Sequence, residues 1–148
     1  MCPKISYKDK LDQITLVMLT YQRHDLALRS MRYWSNQNIK LIVIDGSNVA
    51  IDKSKLQGLS PKITYVHEQK SYYMRLRGSI DLVSTKYAAL VCDDEFYIPS
   101  AIYQCITELE NNLELSSCIG RSLGFYYREG VVFGREDNPS FRNYGVLS

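Results

Sequence analysis

Polar side chains that could bind a ligand lie at the carboxyl end of each of four short apolar runs. The four groups are, in chain order, Thr20-Tyr21-Gln22-Arg23, Asp45-Gly46-Ser47, His67-Glu68 and Asp93-Asp94-Glu95. Ligands of open α/β sheets bind beyond the carboxyl ends of the strands. If the four runs are neighbouring parallel strands, all four groups meet at one edge of the sheet. The sequence therefore predicts a single polar cleft built from strand ends.

Three consecutive carboxylates, Asp93, Asp94 and Glu95, stand directly after the fourth apolar run. Like charges at the end of a buried strand repel one another, so a cation or a set of hydrogen-bond donors must compensate them. Carboxylate oxygens suit Mn²⁺ or Mg²⁺, and Mg²⁺ commonly combines one or two carboxylates with substrate phosphates. Acidic residues are also favourable at a helix N-terminus, where no metal is needed. The triplet alone leaves both interpretations open.

The groups after the first two runs contain side chains suited to a nucleotide. Tyr21 offers an aromatic face for a base, and Arg23 offers donors for carbonyl or phosphate oxygens. Asp45 could accept a hydrogen bond from a ring N–H or a hydroxyl, although Asp-Gly is equally typical of a plain turn. Arg77, one turn beyond Tyr73, either points to the ligand or is solvated. A packed surface tyrosine and a solvated arginine are the commoner roles of such residues.

Hydrophobic periodicity predicts the elements that must position these groups. Apolar runs at 14–20, 40–44, 63–67 and 87–92 indicate four strands. A first helix is expected after a cap at Asp25, with a buried stripe of Ala27, Ser30, Met31 and Trp34. A second helix is expected after Ser71, with a stripe of Tyr73, Leu76, Ile80 and Val83. A third begins at Pro99, with a stripe of Ile102, Ile106 and Leu109.

The end of the chain has a different pattern. Two strands, 119–127 and 131–133, are predicted to form a hairpin around Arg128-Glu129-Gly130. Together with the alternating strands and helices before it, this pattern predicts an α/β fold. We expect a mainly parallel central sheet flanked by helices and a small C-terminal β element.

Length and composition are those of an ordinary globular protein. The 148 residues predict one domain, 1–148, and a hydrophobic content of 45% with a formal net charge of +2 excludes intrinsic disorder. That charge gives no electrostatic footprint for nucleic acid. No apolar run reaches the roughly 18 residues that span a bilayer, and the N-terminus lacks the apolar stretch of a signal peptide. Four cysteines without a C-x-x-C pair favour reduced thiols, so we expect a cytoplasmic protein.

Several catalytic motifs are absent from the sequence. There is no G-x-G-x-x-G after the first strand and no G-x-x-x-x-G-K-[ST] phosphate loop, which disfavours dinucleotide-binding and phosphate-loop proteins. There is also no G-x-S-x-G elbow, and His24 and His67 are the only histidines. A Ser-His hydrolase therefore has little support.

In order and spacing, the four polar groups resemble the nucleotide-binding half of a GT-A glycosyltransferase of the family 2-like kind. The family's T-Y-N-R-like turn is matched by Thr20-Tyr21-Gln22-Arg23, and its D-G or D-S strand end by Asp45-Gly46-Ser47. Its arginine-bearing helix is matched by Arg77-Gly78, and its D-x-D motif by Asp93-Asp94-Glu95, with Pro99 following. The resemblance covers roughly residues 13–110. The triplet departs from D-x-D, which leaves open which of its acids ligate a metal.

The resemblance implies a Rossmann-like GT-A fold and transfer of a sugar from a nucleotide diphosphate sugar, most readily a UDP-sugar, to an unidentified acceptor. The donor-binding residues that it implies are Thr20, Tyr21, Arg23, Asp45, Ser47, Arg77 and Asp93. The implied ligands of Mn²⁺ or Mg²⁺ are Asp93, Asp94 and Glu95. Complete enzymes of this fold are longer, so we expect a donor-binding part, C-terminally truncated, and assign no catalytic base.

Two other functions remain open from the sequence. The first is a non-catalytic α/β module that binds a nucleotide or a protein partner without turnover. The second, a phosphotransferase, is more remote because Thr20 stands where the early nucleophilic aspartate is expected. Product formation from a UDP-sugar would separate an enzyme from a binding module.

Overall fold

The central element is a sheet of four parallel strands. The computed structural model describes residues 6–37 and 39–120, together with the backbone of two further strands, 124–128 and 131–135. The sheet has the order β3-β2-β1-β4. Its strands are β1 (Ile14–Thr20), β2 (Lys40–Asp45), β3 (Ile63–His67) and β4 (Tyr87–Val91). The predicted α/β architecture is thereby confirmed, and it is consistent with a Rossmann-like fold.

The register of the strands aligns the polar groups at their carboxyl ends. Thr20 is the partner of Asp45 in the β1–β2 pair, and Asp45 is the partner of His67 in the β2–β3 pair. On the other side of β1, Met18 is the partner of Val91. Asp93, two residues beyond Val91, is thus level with Thr20. All four strand ends lie along one edge of the sheet, as predicted.

One face of the sheet holds the main hydrophobic core. It is covered by α1 (Tyr7–Leu11), α2 (His24–Ser35) and α4 (Pro99–Asn111). Alternate residues of β1 and β2 point into this core, because successive side chains of a strand face opposite sides. The largest fully buried side chains include Leu16, Met18, Leu41, Trp34 and Ile106. The predicted stripe of α2 is buried in full: Ala27, Ser30, Met31 and Trp34.

The other face is covered by α3 (Tyr72–Ser79) and a short 3₁₀ helix, Ile80–Leu82. The predicted cap is confirmed, since Ser71 Oγ accepts a hydrogen bond from the Met74 N–H. The predicted apolar stripe is partly wrong, because Tyr73 and Ile80 are each 67% exposed. The helix instead buries two polar side chains, Arg75 and Ser79. The arginine reaches backbone carbonyls of the sheet, which determines the face that α3 turns inward.

Element boundaries differ from the predictions by one or a few residues. Asp25 lies in the first turn of α2 and Arg23 precedes the helix without a side-chain cap, so the predicted cap at Asp25 is wrong. An acidic residue in the first turn still complements the helix dipole. The strand predicted at 87–92 ends at Val91.

The C-terminal β element is confirmed as a small antiparallel sheet of its own. It consists of β5 (Gly124–Arg128) and β6 (Val131–Arg135). The first strand was predicted to begin at Ile119, but residues 119 and 120 are not in a strand. The predicted turn residues Glu129 and Gly130 lie outside the described residues. Within the described ranges, no helix combines the length and apolar character needed to span a membrane.

Candidate ligand-binding site at the carboxyl edge of the sheet

A cleft of about 230 Å³ lies at the carboxyl ends of β1 and β4, beside the start of α3. Its polar and aromatic lining comes from Thr20, Tyr21, Arg23, Tyr72, Arg75, Asp93 and Asp94. Five of these seven residues were predicted from the sequence. The structure brings together side chains that are more than 70 positions apart in the chain, because β1 and β4 are neighbours in the sheet.

Asp93 is the buried anchor of the cleft. It is only 4% exposed, and its Oδ2 accepts a hydrogen bond of 2.8 Å from Thr20 Oγ1. Its other oxygen, Oδ1, lies 3.1 Å from Nη2 of Arg23. The same arginine nitrogen lies 2.5 Å from Oδ2 of Asp94. That hydrogen bond lowers the pKa of Asp94 despite the opposing effect of burial.

Asp45 and Ser47 lie behind the cleft and do not line it. Asp45 is fully buried, and its Oδ1 accepts hydrogen bonds from the N–H and the hydroxyl of Ser47. Its Oδ2 accepts one of 2.6 Å from Tyr65 and lies 3.1 Å from Nε2 of His24. Burial raises the pKa of Asp45, but these hydrogen bonds together outweigh it, and the pKa lies below its ordinary value. Both oxygens of this carboxylate are thus engaged within the protein.

The turn that carries Tyr21 and Arg23 has an unusual backbone conformation. Gln22 has a φ of 56°, in the left-handed region that non-glycine residues seldom adopt. Its N–H donates a hydrogen bond of 2.7 Å to Ser47 Oγ, which in turn donates to Asp45. The buried aspartate therefore holds the turn through Ser47. Tyr21, which is 54% exposed, stands at the rim of the cleft as a consequence.

Arg75 is, with Tyr72, one of the two polar or aromatic cleft residues that were not predicted from the sequence. It is 4% exposed, and its Nη1 donates to the carbonyls of Thr20 at 2.8 Å and Ile44 at 2.9 Å. Its Nε donates to the carbonyl of Lys70. No carboxylate lies within ion-pair distance of it in the part of the chain that the structure describes. A buried positive charge that has no acidic partner among the described residues therefore borders the cleft.

Gly46 makes room for this arginine. A Cβ atom at position 46 would lie 2.5 Å from Cζ of Arg75 and 2.6 Å from its Nε. The glycine of the predicted Asp-Gly turn was the available signal that another group approaches the strand end closely. The predicted arginine, Arg77, is exposed on α3 and is not among the residues that line the cleft.

The three acidic side chains of the triplet do not converge on one point. Glu95 is exposed and its Oε2 accepts a hydrogen bond of 2.7 Å from Tyr97, whereas Asp93 and Asp94 both contact Arg23. Among the described residues, no three His, Cys, Asp or Glu side chains are grouped so that they could hold a metal ion. In this arrangement the residues do not fit Mn²⁺ or Mg²⁺, because a guanidinium stands between the two nearest carboxylates.

Cys92 is the only thiol that borders the cleft among the described residues. Burial and the neighbouring acidic side chains raise the pKa of this thiol. The side chain is therefore protonated at neutral pH, and a thiol is a far weaker nucleophile than a thiolate. Nucleophilic catalysis by this cysteine has no support.

Comparison with known proteins does not identify a family for this chain. No protein-family model matches the chain, and no curated protein matches it in sequence. Functional assignment therefore depends on the cleft itself.

Proposed function

We propose that the cleft binds the nucleoside diphosphate part of a nucleotide sugar, a UDP-sugar first of all, and that the chain is the donor-binding part of a glycosyltransferase. The observation that carries the proposal is the convergence of Arg23, Arg75 and two tyrosines at the carboxyl edge of a parallel sheet. This edge is where α/β sheets bind nucleotides. The order of the polar groups along the chain supports the same function.

The cationic side chains of the cleft suit a diphosphate. Arg75 carries a buried charge that has no acidic partner among the described side chains, so an anion in the cleft would be its first counter-ion. Arg23 has a side chain that is 43% exposed and contacts its acidic partners through Nη2 alone. Among the described contacts its donors on Nε and Nη1 have no partner, so they are available to phosphate oxygens, which arginine binds well.

The aromatic and acidic side chains suit the nucleoside. Tyr21 and Tyr72 both line the cleft and are each 54% exposed, so either ring can stack on a base. Asp94 has a side chain that is 51% exposed, and its carboxylate can accept hydrogen bonds from ribose hydroxyls. Asp93 and Asp45 support the site without contacting the ligand. Asp93 holds Arg23 in place, and Asp45 holds the turn that carries Tyr21. Ligand contacts of Asp45, Ser47 and Arg77 remain predictions of the resemblance.

Binding without turnover is the second candidate, and the size of the cleft favours it. A volume of about 230 Å³ is below the roughly 300–1,000 Å³ of most small-molecule sites. It accommodates a diphosphate with part of a nucleoside, and leaves the sugar and the acceptor outside. Neither Mn²⁺ or Mg²⁺ nor a catalytic base is part of the proposal. The metal and a cytoplasmic location remain predictions from the sequence.

The test is a calorimetric titration with UDP, with uridine and ADP for comparison, on a matched pair of variants. Tyr72→Ala removes a ring that lines the cleft, and Tyr73→Ala removes its exposed neighbour outside the cleft. Stacking on an aromatic side chain contributes about 1–3 kcal/mol per base, so Y72A should weaken UDP binding about fivefold or more. Y73A should bind like the unchanged protein. The proposal is refuted if Tyr21→Ala and Tyr72→Ala both bind UDP as tightly as Y73A, or if the unchanged protein has no affinity for any nucleotide.

Transfer is tested separately by following release of UDP from UDP-sugars in the presence of candidate acceptors. UDP release that depends on the acceptor and is reduced in Y72A supports a glycosyltransferase. UDP binding without any release supports the binding module.

A further inference from the structure

Arg23 occupies the position between Asp93 and Asp94 that a divalent cation would take. A single nitrogen, Nη2, lies 3.1 Å from Asp93 Oδ1 and 2.5 Å from Asp94 Oδ2. The second oxygen of Asp93 is held by Thr20, and Asp93 is almost completely buried. The oxygen that a metal could reach on Asp93 is therefore the one that the arginine already contacts.

A metal ion and this arginine cannot share the two carboxylates. Mg²⁺ bonds to oxygen at about 2.0–2.1 Å, which would bring it close to a guanidinium nitrogen in contact with the same atoms. Two cations at that separation repel each other. One of them must leave before the other can bind.

We propose that Arg23 is the built-in cation of this cleft: it replaces a divalent metal between Asp93 and Asp94, and the pair accepts a metal only when the arginine is removed. Arginine suits this position because its guanidinium reaches both carboxylates, here through Nη2, and stays charged at every physiological pH. A phosphate in the cleft is then met by Arg23 and Arg75. Phosphate binding is therefore expected to be independent of metal. Only this expectation depends on the proposed function.

The test is a titration of the full chain with Mn²⁺ alone. Binding is measured by calorimetry or by the loss of the paramagnetic resonance signal of free Mn²⁺. The variants are Arg23→Gln and, as a matched control, Arg32→Gln, which neutralises an exposed arginine on α2, outside the cleft. R23Q should gain saturable binding of one Mn²⁺, at least tenfold tighter than any binding by the unchanged protein or R32Q. The double variant R23Q/D94N should lose that gain.

The inference is overturned if the unchanged protein binds one Mn²⁺ as tightly as R23Q, or if folded R23Q gains no binding. Should R23Q fail to fold, Arg23→Lys keeps a positive charge with a shorter reach and Arg23→Met removes it. Mn²⁺ binding by R23M but not R23K supports the inference, and equal binding by the two refutes it.

A second arm measures UDP affinity of the unchanged protein with Mn²⁺ and with EDTA. Equal affinities support metal-independent binding, and affinity that requires Mn²⁺ contradicts it. Absence of UDP binding in both conditions refutes the proposed function, while the Mn²⁺ titration still decides the role of Arg23.

Discussion

Replacement of Gly46 by alanine should destabilise the protein through a side chain that lies far away in the sequence. The added Cβ would lie 2.5 Å from Cζ, 2.6 Å from Nε and 2.9 Å from Nη2 of Arg75. Relief of these contacts requires a shift of about 1 Å, since carbon atoms pack best at roughly 3.5–4.0 Å. Arg75 cannot make that shift freely, because it is buried and donates three hydrogen bonds to backbone carbonyls.

The size of the effect follows from the hydrogen bonds that the shift breaks. The two bonds from Nη1, to Thr20 and Ile44, measure 2.8 and 2.9 Å. Hydrogen bonds of charged groups contribute about 1.5–3 kcal/mol each, and partial relaxation will preserve some of that energy. We expect G46A to lower the free energy of unfolding by about 3 kcal/mol. For a domain of this size that corresponds to a fall of about 10 °C in Tm.

The matched control is Gly78→Ala. Gly78 lies inside α3, and a Cβ at that position would meet no atom within 4 Å. Alanine is favoured over glycine in a helix by roughly 0.5–1 kcal/mol, so G78A should be neutral or slightly stabilising. The assay is chemical denaturation followed by circular dichroism, with the double-mutant cycle G46A, R75M and G46A/R75M. The reasoning is refuted if G46A loses less than about 0.5 kcal/mol, or if its cost is unchanged in the R75M background.

Three further predictions concern the network behind the cleft. Asp45→Asn should cost about 2–4 kcal/mol, because an amide cannot accept all the hydrogen bonds that the buried carboxylate receives. The pKa of Asp45 is lowered on folding, so its contribution to the free energy of unfolding is present above about pH 4 and is lost in acid. In denaturant titrations, D45N should therefore lose less stability in acid than the unchanged protein. Burial and Asp45 raise the pKa of Tyr65 to about 12, so stability should fall as the pH rises from about 10 towards 12. Tyr65→Phe should reduce that alkaline loss, as followed by circular dichroism, although Tyr33 and Tyr97, whose pKa values are also raised, still contribute to it. Gln22→Gly should retain or slightly raise Tm. Gln22→Val should lower the free energy of unfolding by about 1–2 kcal/mol, because β-branched residues tolerate a φ of 56° poorly. Equal stability of the two variants would contradict this prediction.

The strands and the edge that they share could be predicted from the sequence because their signals are local. The run from Ile14 to Thr20 is apolar, partly β-branched and closed by polar residues, and β1 has those same bounds. The stripe of α2 repeats at helical spacing and is buried as expected. Thr20 and Asp93 were both placed at strand ends, and parallel pairing with β1 brings them within a hydrogen bond.

The inward face of α3 could not be predicted in the same way. Periodicity assigns burial to apolar positions, and charged residues are almost never buried without a partner. Arg75 is an exception because its partners are backbone carbonyls, which no side-chain pattern records. For the same reason the sequence could propose Asp45 as a ligand contact but could not show that Tyr65 and His24, at least 20 positions away, already engage it.

Residues at this edge have a structural role, a ligand-binding role or both, and tests of function must separate the two roles. Asp45, Ser47 and Gly46 hold the backbone in position, so their substitution changes stability whether or not a ligand exists. Arg75 does both, because it satisfies strand-end carbonyls and brings a charge to the cleft. A loss of binding in an Arg75 variant would therefore not distinguish a lost contact from a distorted edge. Tyr72 is half exposed, lines the cleft and has no hydrogen bond to the sheet among the described contacts, so its removal can lower affinity without disturbing the fold.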